Sequence, residues 1–420
     1  MDKILKYPTF LFLYFFPLWL SAQSLSLEEC YALAYRNFPL AAQKELAAAV
    51  GAQKMAKANQ NWWPKFEVQG QATWQNEVTQ INLPISLPGV EIPEISKDQY
   101  RLAGELSQTI FDGGSTRRLR EAESWSALSE QQKVAVEQYK LRERINQFYF
   151  SALLLDKQAA SLDLVKTDLQ NRLKKLEALY QNGVAQSKDV DGLKVELLKV
   201  EQQKQQLALS RKNALESLAE LTGTSIAPET QLVAPAAEMQ ATERPEVQLF
   251  TIQKSAILTQ QDLLKTGRLP KLSAFAQAGV GRPGYNFLDN DPAFLFQAGL
   301  RLRWNLSAFY TDKKDREILS LNHQLVDNQQ TVFQKNIDLQ ALQSKNEAER
   351  YREMLPADRE ILALRERIRE RSAAQLDNGV LTASDYVADL NAWQQAQINL
   401  DLHELQALFA EINFRTTTGK

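Results

Sequence analysis

A single cysteine, two histidines and no long apolar run beyond the first two dozen residues set the outer limits on this 420-residue chain. Cys30 cannot form an intramolecular disulfide, and it does not sit directly behind an apolar leader, so it reads as a buried helix residue rather than a lipid-attachment point. His323 and His403 fall in helical segments with no second ligand pair in helical reach, so no metal site is expected. There is no glycine-rich phosphate loop after a strand, no Gly-x-Ser-x-Gly elbow and no Cys-x-x-Cys. Paired carboxylates abound, but on charge-dense helical faces where solvation accounts for them. Neither an enzyme nor a cofactor is expected, and a formal charge of −2 gives no reason to expect a nucleic-acid partner.

The one apolar run, Phe10 to Leu20, follows Lys3 and Lys6, is too short to span a bilayer and ends in Ser21-Ala22-Gln23. Residues 1–22 therefore read as a signal peptide cleaved after Ala22. Beyond it nothing approaches the ~20 consecutive apolar residues of a membrane helix. If the mature chain crosses a membrane, it does so as strands.

What the chain has is a repeat. Pro39 and Pro245 are 206 positions apart, as are Pro64 and Pro270. Downstream the offset is 196, from Leu106/Leu302 through Asn182-Gly183-Val184/Asn378-Gly379-Val380 and Asp189/Asp385 to Thr222-Gly223/Thr418-Gly419. One loop ten residues longer in the first copy accounts for the change. The chain is thus a tandem duplication, with a first repeat over 23–223, a linker over 224–242 and a second repeat over 243–420.

Each copy reads helix, strand, strand, helix, helix. In the first, helical spacing runs from Leu25 to Asn61 as one segment ended by Trp63-Pro64, because the residue before proline avoids the α region. Strands are expected at about 66–74 and 100–110, on either side of a Pro-rich loop over 83–93. The Gly113-Gly114 turn then opens a helix over about 115–181 that contains neither proline nor glycine. Its apolar residues recur at spacings of three and four, the pattern of a coiled coil ~100 Å long. A third helix runs from about Ser187 to Leu221. The second copy gives strands at about 272–280 and 294–306, a long helix over about 313–377 and a last helix from about Ala383 to Arg415. In its second strand Phe294, Phe296, Leu300, Leu302 and Trp304 share one face, and Gln297, Arg301 and Arg303 the other. Arg301 and Arg303 cannot face lipid and are assigned to a barrel lumen.

Four strands of this length reach across an outer membrane when tilted, but leave two open edges in lipid. Closure requires oligomers: a dimer with 8 strands, a trimer with 12 or a tetramer with 16. The helices carry broad Gln-, Lys- and Glu-rich faces that suit a water-filled tube better than a solid bundle.

The order of elements, the duplication, Phe111-Asp112-Gly113-Gly114 and the paired Asn-Gly-Val turns resemble the TolC-like outer-membrane efflux protein family. The resemblance covers nearly all of the mature chain. It implies a homotrimer in the outer membrane of a Gram-negative bacterium, with a 12-stranded barrel continued by a periplasmic α-helical barrel. It also implies a closed tip that a periplasmic adaptor opens, with energy supplied by an inner-membrane pump. The adaptor would then meet Asn182, Gly183, Val184, Ala185, Asn378, Gly379, Val380 and Leu381. Asp385, with Asp189 and the neighbouring Asp389, would supply an acidic ring at the tip constriction, the kind of ring that selects cations. Leu381 stands where family members carry a basic latch, and Ala388 where many carry a second acid.

Both features also have purely structural explanations. Glycine is a common residue just past a helix end, and an acid in a first helical turn suits the helix dipole. The expected function is a passive exit duct of a tripartite efflux or type I secretion system. The alternative is an exported coiled-coil scaffold with a soluble dimerising sheet, which has no use for an apolar outer strand face. The exported substrate is not legible.

Overall fold

The computed structural model describes residues 24–79, 95–236, 243–286 and 289–419. The signal segment and the Pro-rich loop lie outside these described residues. The first repeat runs β1 (Ser24–Leu25), α1 (Leu27–Asn37), α2 (Leu40–Asn59), β2 (Lys65–Trp74), β3 (Asp98–Phe111), α3 (Ser115–Gln181) and α4 (Ser187–Thr222). The second runs β4 (Gln231–Leu232), α5 (Pro245–Thr266), β5 (Lys271–Arg282), β6 (Ala293–Arg303), α6 (Ala308–Asp377) and α7 (Ala383–Thr418).

The first helix is two helices rather than one. Pro39 holds Phe38 in an extended conformation at ψ 143°, which ends α1. α1 itself starts on a capping box, in which Ser26 accepts from the Glu29 amide at 3.2 Å and Glu29 accepts from the Ser26 amide at 2.7 Å. In the second repeat the matching Pro245 is the first residue of α5, where its missing N–H costs no hydrogen bond. At the other end of the sheet, α6 begins five residues before its expected start. β6 stops at Arg303, and the Trp304 indole donates to the Arg268 carbonyl at 2.9 Å while Asn305 accepts from the Ser307 amide at 3.2 Å.

The four long strands form one antiparallel sheet in the order β2-β3-β5-β6. Phe66 pairs with Leu106, Leu106 with Ala276 and Leu272 with Leu302, so alternate residues fall on one face through the whole sheet. That face carries Phe66, Val68, Trp74, Leu102, Leu106, Val280, Phe294, Phe296, Leu300 and Leu302, all exposed. The other face carries Lys65, Glu67, Gln69, Gln71, Arg101, Glu105, Gln277, Gln297, Arg301 and Arg303. At Gly279 a Cβ would lie 2.2 Å from the Leu102 carbonyl oxygen, so β3 and β5 can approach there only because the residue is glycine. β2 and β6 end the sheet with free edges.

Below the sheet α3, ~100 Å long, packs against α1, α2, α4, α5 and α7, while α6, ~105 Å long, packs chiefly against α5 and α7. The short helices meet end to end along the long ones. Asn37, at the end of α1, donates its side-chain amide to the Thr222 carbonyl at 3.0 Å, and Arg244, before α5, donates to Thr417 at 2.9 Å. One apolar core surrounds this seam, built on Leu27, Cys30, Tyr31, Ile145, Tyr149, Leu218 and Ile412. Burial there pushes the Cys30 thiol up to about 12, so it is an inert packing group. A second core lies near the far ends of the helices, built on Leu169, Leu193, Tyr386, Leu390 and Trp393.

Candidate functional site

The two helix-to-helix turns are built alike. At the end of α3, Val184 donates its amide to Leu179 and Gly183 to Tyr180, both at 2.9 Å, with Gly183 at φ +76°. At the end of α6, Val380 donates to Gln375 at 2.9 Å and Gly379 to Leu376 at 3.0 Å, with Gly379 at φ +69°. Each is a Schellman closure, which needs a left-handed residue just past the helix and therefore favours glycine. Asn182 and Asn378 add a side-chain donor to the carbonyls of Ala178 and Ala374, at 2.9 and 2.8 Å. The outcome is a blunt turn that thrusts an apolar side chain outward: Val184 is 68 % exposed and Val380 76 %. Ala185 and Leu381 turn back and pack against the lower core.

The three acids near the turns have different surroundings. Asp189, in the first turn of α4, accepts from the Ala383 amide at 3.3 Å and so caps α7 from the other repeat. This bond sets the two turns side by side. Asp389 accepts from the Ser372 hydroxyl on α6. Asp385 is exposed and accepts from the Thr382 hydroxyl at 2.7 Å, while Thr382 accepts from the Asp385 amide at 3.2 Å.

Just above the turns lies a polar cluster that sequence reasoning missed. Asp377, the last residue of α6, accepts from Arg172 at 2.5 Å and Lys175 at 2.8 Å, both on α3. The Tyr386 hydroxyl donates to Asp168, and Arg172 lies 3.6 Å from the same carboxylate. Burial raises the Asp168 carboxyl above the usual carboxylate range, against the pull of Arg172 and Arg369. Burial pushes Asp377 the same way, but its hydrogen bonds from Lys175 and Arg172 outweigh that and leave it below the usual range. The signal for this cluster was broken repeat symmetry: Asp168 and Arg172 correspond to Leu364 and Ile368, and Asp377 to Gln181.

At the other end of the molecule, Arg301 grips Glu105 through two bonds of 2.6 and 3.0 Å and lies over the Phe275 ring at 4.4 Å. Arg303 sits two residues on, exposed on the same concave face. His323 and His403 each hold a helical carboxylate, Asp327 at 3.1 Å and Asp358 at 2.7 Å. Among the described residues no group of three His, Cys, Asp or Glu side chains could hold a metal ion, and no helix is long and apolar enough to cross a membrane.

Residues 32–224 match the family model of outer membrane efflux proteins. No curated protein matches the chain. Among solved structures, the chain is similar to the Campylobacter jejuni CmeC outer membrane channel, with a TM-score of 0.65 at 14% identity over 94% of this chain and 85% of that one. The Vibrio cholerae outer membrane protein VceC gives 0.64 at 13% over 94% and 96%. The open Neisseria gonorrhoeae MtrE outer membrane channel gives 0.60 at 14% over 94% and 88%. At such identities the likeness is one of fold.

Proposed function

We propose that this chain, which belongs to the TolC-like outer membrane efflux proteins, is the outer-membrane exit duct of a tripartite efflux system, passively conducting substrates delivered from the inner membrane. The observation that carries this reading is the sheet: four strands with one exposed apolar face, one polar face and two free edges, set on helices ~100 Å long. A soluble protein gains nothing from so large an apolar patch, whereas lipid requires it. The family is one of channels rather than enzymes, and the protein lies in the outer membrane with a long periplasmic extension.

Three copies closing a 12-stranded barrel is the assembly this reading requires. β2 and β6 run in opposite directions, so β6 of one copy can pair antiparallel with β2 of the next, leaving no edge in lipid. The helices attached to those edges support the same neighbour. On α6, Ile318, Leu321 and Leu325 are exposed roughly 15–26 Å below the sheet, and on α2 Val50 and Leu46 are exposed roughly 14–20 Å below it. Near the turns, Ile368 to Met354 on α6 and Val195 to Leu209 on α4 are exposed over the same interval, roughly 12–35 Å from the helix ends. A neighbouring copy would cover all of them.

The paired turns serve as the contact for a periplasmic adaptor, with Val184 and Val380 as the side chains offered to it. Asp385, exposed in each copy, serves as the acid of a tip constriction. Asp189 and Asp389 act within the protomer, as cap and helix clasp. The first test is the detergent-corrected mass of protein extracted from outer membranes, measured by light scattering. A trimer is expected, and a soluble periplasmic dimer would restore the scaffold reading.

A further inference from the structure

The concave face of the sheet holds an unbalanced cluster where the strands meet the helices. Lys271 is the direct cross-strand partner of Arg303, and like charges placed opposite one another destabilise a sheet. Neither has an ion-pair partner within 4.0 Å among the described residues, and neither does Lys65, on the same concave surface. These three and Arg301 border a polar concavity of about 390 Å³ whose wall also includes Ser273 and Thr116. Two of the acids nearby are already engaged. Glu105 is held by Arg301, and Asp112 accepts from the backbone amides of Gly114 and Thr116 at 2.8 and 2.7 Å. The lining nevertheless sets the four cations Lys65, Lys271, Arg301 and Arg303 against the three carboxylates Glu67, Glu105 and Asp112, with Lys271 acting on Asp112 and Arg303 on Glu105 at longer range, so it keeps a net positive charge in a chain whose overall charge is −2. Higher on the same face Arg101 adds another cation, 5.7 Å from the Tyr285 ring.

We propose that Lys65, Lys271 and Arg303 form a local binding station for multiply charged anions at the inner end of the barrel, separate from the acidic tip at the other end of the duct. The inference rests on the exit-duct reading, since it places this face in the lumen. Barrel closure sets Lys65, the first residue of β2, near the same end of the lumen as Arg303, the last residue of β6, of the adjoining copy. Threefold repetition then sets nine such cations around one passage, a ring of positive charge that attracts a passing anion. Flexible ammonium groups and a guanidinium fork match the oxygens of phosphate or clustered carboxylates without demanding a single shape. Retained repulsion between Lys271 and Arg303 is relieved each time such an anion enters.

The experiment is block of single-channel current in a planar bilayer by inorganic tripolyphosphate, added to the compartment facing the barrel mouth. The wild-type trimer is expected to be blocked, and K65Q/K271Q/R303Q to need at least about ten times more tripolyphosphate, while K65R/K271R/R303K is blocked like wild type. Equal block of wild type and glutamine variant, or block of neither, overturns the proposal. A wild-type trimer that does not conduct has a closed tip, and the exit-duct reading then stands or falls on the mass of the protein extracted from outer membranes. In that case tripolyphosphate binding to the detergent-solubilised protein, followed by calorimetry, still decides the site: heat lost in the glutamine variant supports it, and no heat in wild type refutes it.

Discussion

The two long helices, α3 and α6, are equivalent by duplication yet live in different surroundings. Sixteen residues of α3 are buried against eight of α6, although α6 is the longer. On α6 the apolar side chains of Ile318, Leu321, Leu325, Val332, Leu339, Leu342, Ile361 and Leu364 all reach solvent, whereas α3 leaves only Leu128, Leu164 and Tyr180 so placed. The difference lies in their neighbours: α3 is enclosed by helices of both repeats, α6 chiefly by two helices of its own. Duplication therefore supplied one helix that folds the protomer and one whose apolar stripe stays uncovered on it. The same pattern of spacing serves intramolecular packing on α3 and, under the trimer proposed above, would serve assembly on α6.

The largest effect should come from placing one charge on each helix. Leu169→Asp buries a carboxylate at a fully enclosed α3 position and should cost about 3–5 kcal/mol, enough to prevent accumulation of folded protein. Leu339→Asp, at an exposed α6 position, should change protomer stability by no more than about 0.5 kcal/mol but abolish the trimer. Circular dichroism and light scattering on both variants read the two outcomes apart. Normal trimers from Leu339→Asp would remove the α6 stripe from the assembly interface.

The turns test the next level. Gly379→Pro cannot keep φ +69° and loses the Schellman closure, a strain of about 1–3 kcal/mol confined to the end of α6. Adaptor-dependent export should fall while trimers still form, and unimpaired export would count against docking at the turns. Asp385→Ala, which leaves every contact between α3 and α6 in place, should reduce the cation preference of the isolated channel. Unchanged ion selectivity would retire the ring.

Much of this is readable in the sequence. Strands on one wet and one greasy face alternate by their nature, so Phe294 to Trp304 declared both the sheet and its two environments. Long helices without proline or glycine declare themselves too, and Gly183 and Gly379 marked their ends. The break at Pro39 was missed because the helical spacing of Leu27, Tyr31 and Ala34 continues into an Ala-rich run from Ala41 to Ala58, and spacing does not register one lost amide. The cluster around Asp168 and Asp377 was missed for a different reason. Its members lie on helices distant in sequence, and pairing by duplication pointed away from them, toward positions where the second repeat has leucine and isoleucine. Departures from the repeat, rather than agreements with it, mark where α3 and α6 exchange polar contacts.

That cluster gives the smallest and most specific prediction. Asp168 is held above the ordinary carboxylate value of 3.8 by burial, so the folded protein disfavours its ionised form. Its contribution to stability is complete below that ordinary value and is lost as pH rises through the raised one. Asp377 has the opposite sign: its contribution is present above 3.8 and is lost as pH falls through its depressed value. Asp168→Asn keeps an acceptor for the Tyr386 hydroxyl and discards the ionisation. Its melting temperature should exceed that of wild type by ~1 °C at pH 7, and the gap should close as pH falls toward 4. Asp377→Asn should instead melt below wild type at pH 7, with its own gap closing on acidification. Thermal melts of Asp168→Asn from pH 7 to 4, and of Asp377→Asn carried on to below 3.8, separate a buried acid that is tolerated for its bond to Tyr386 from a paired acid that holds α6 to α3. A gap for Asp168→Asn that stays constant with pH would mean that Asp168 is not titrating there.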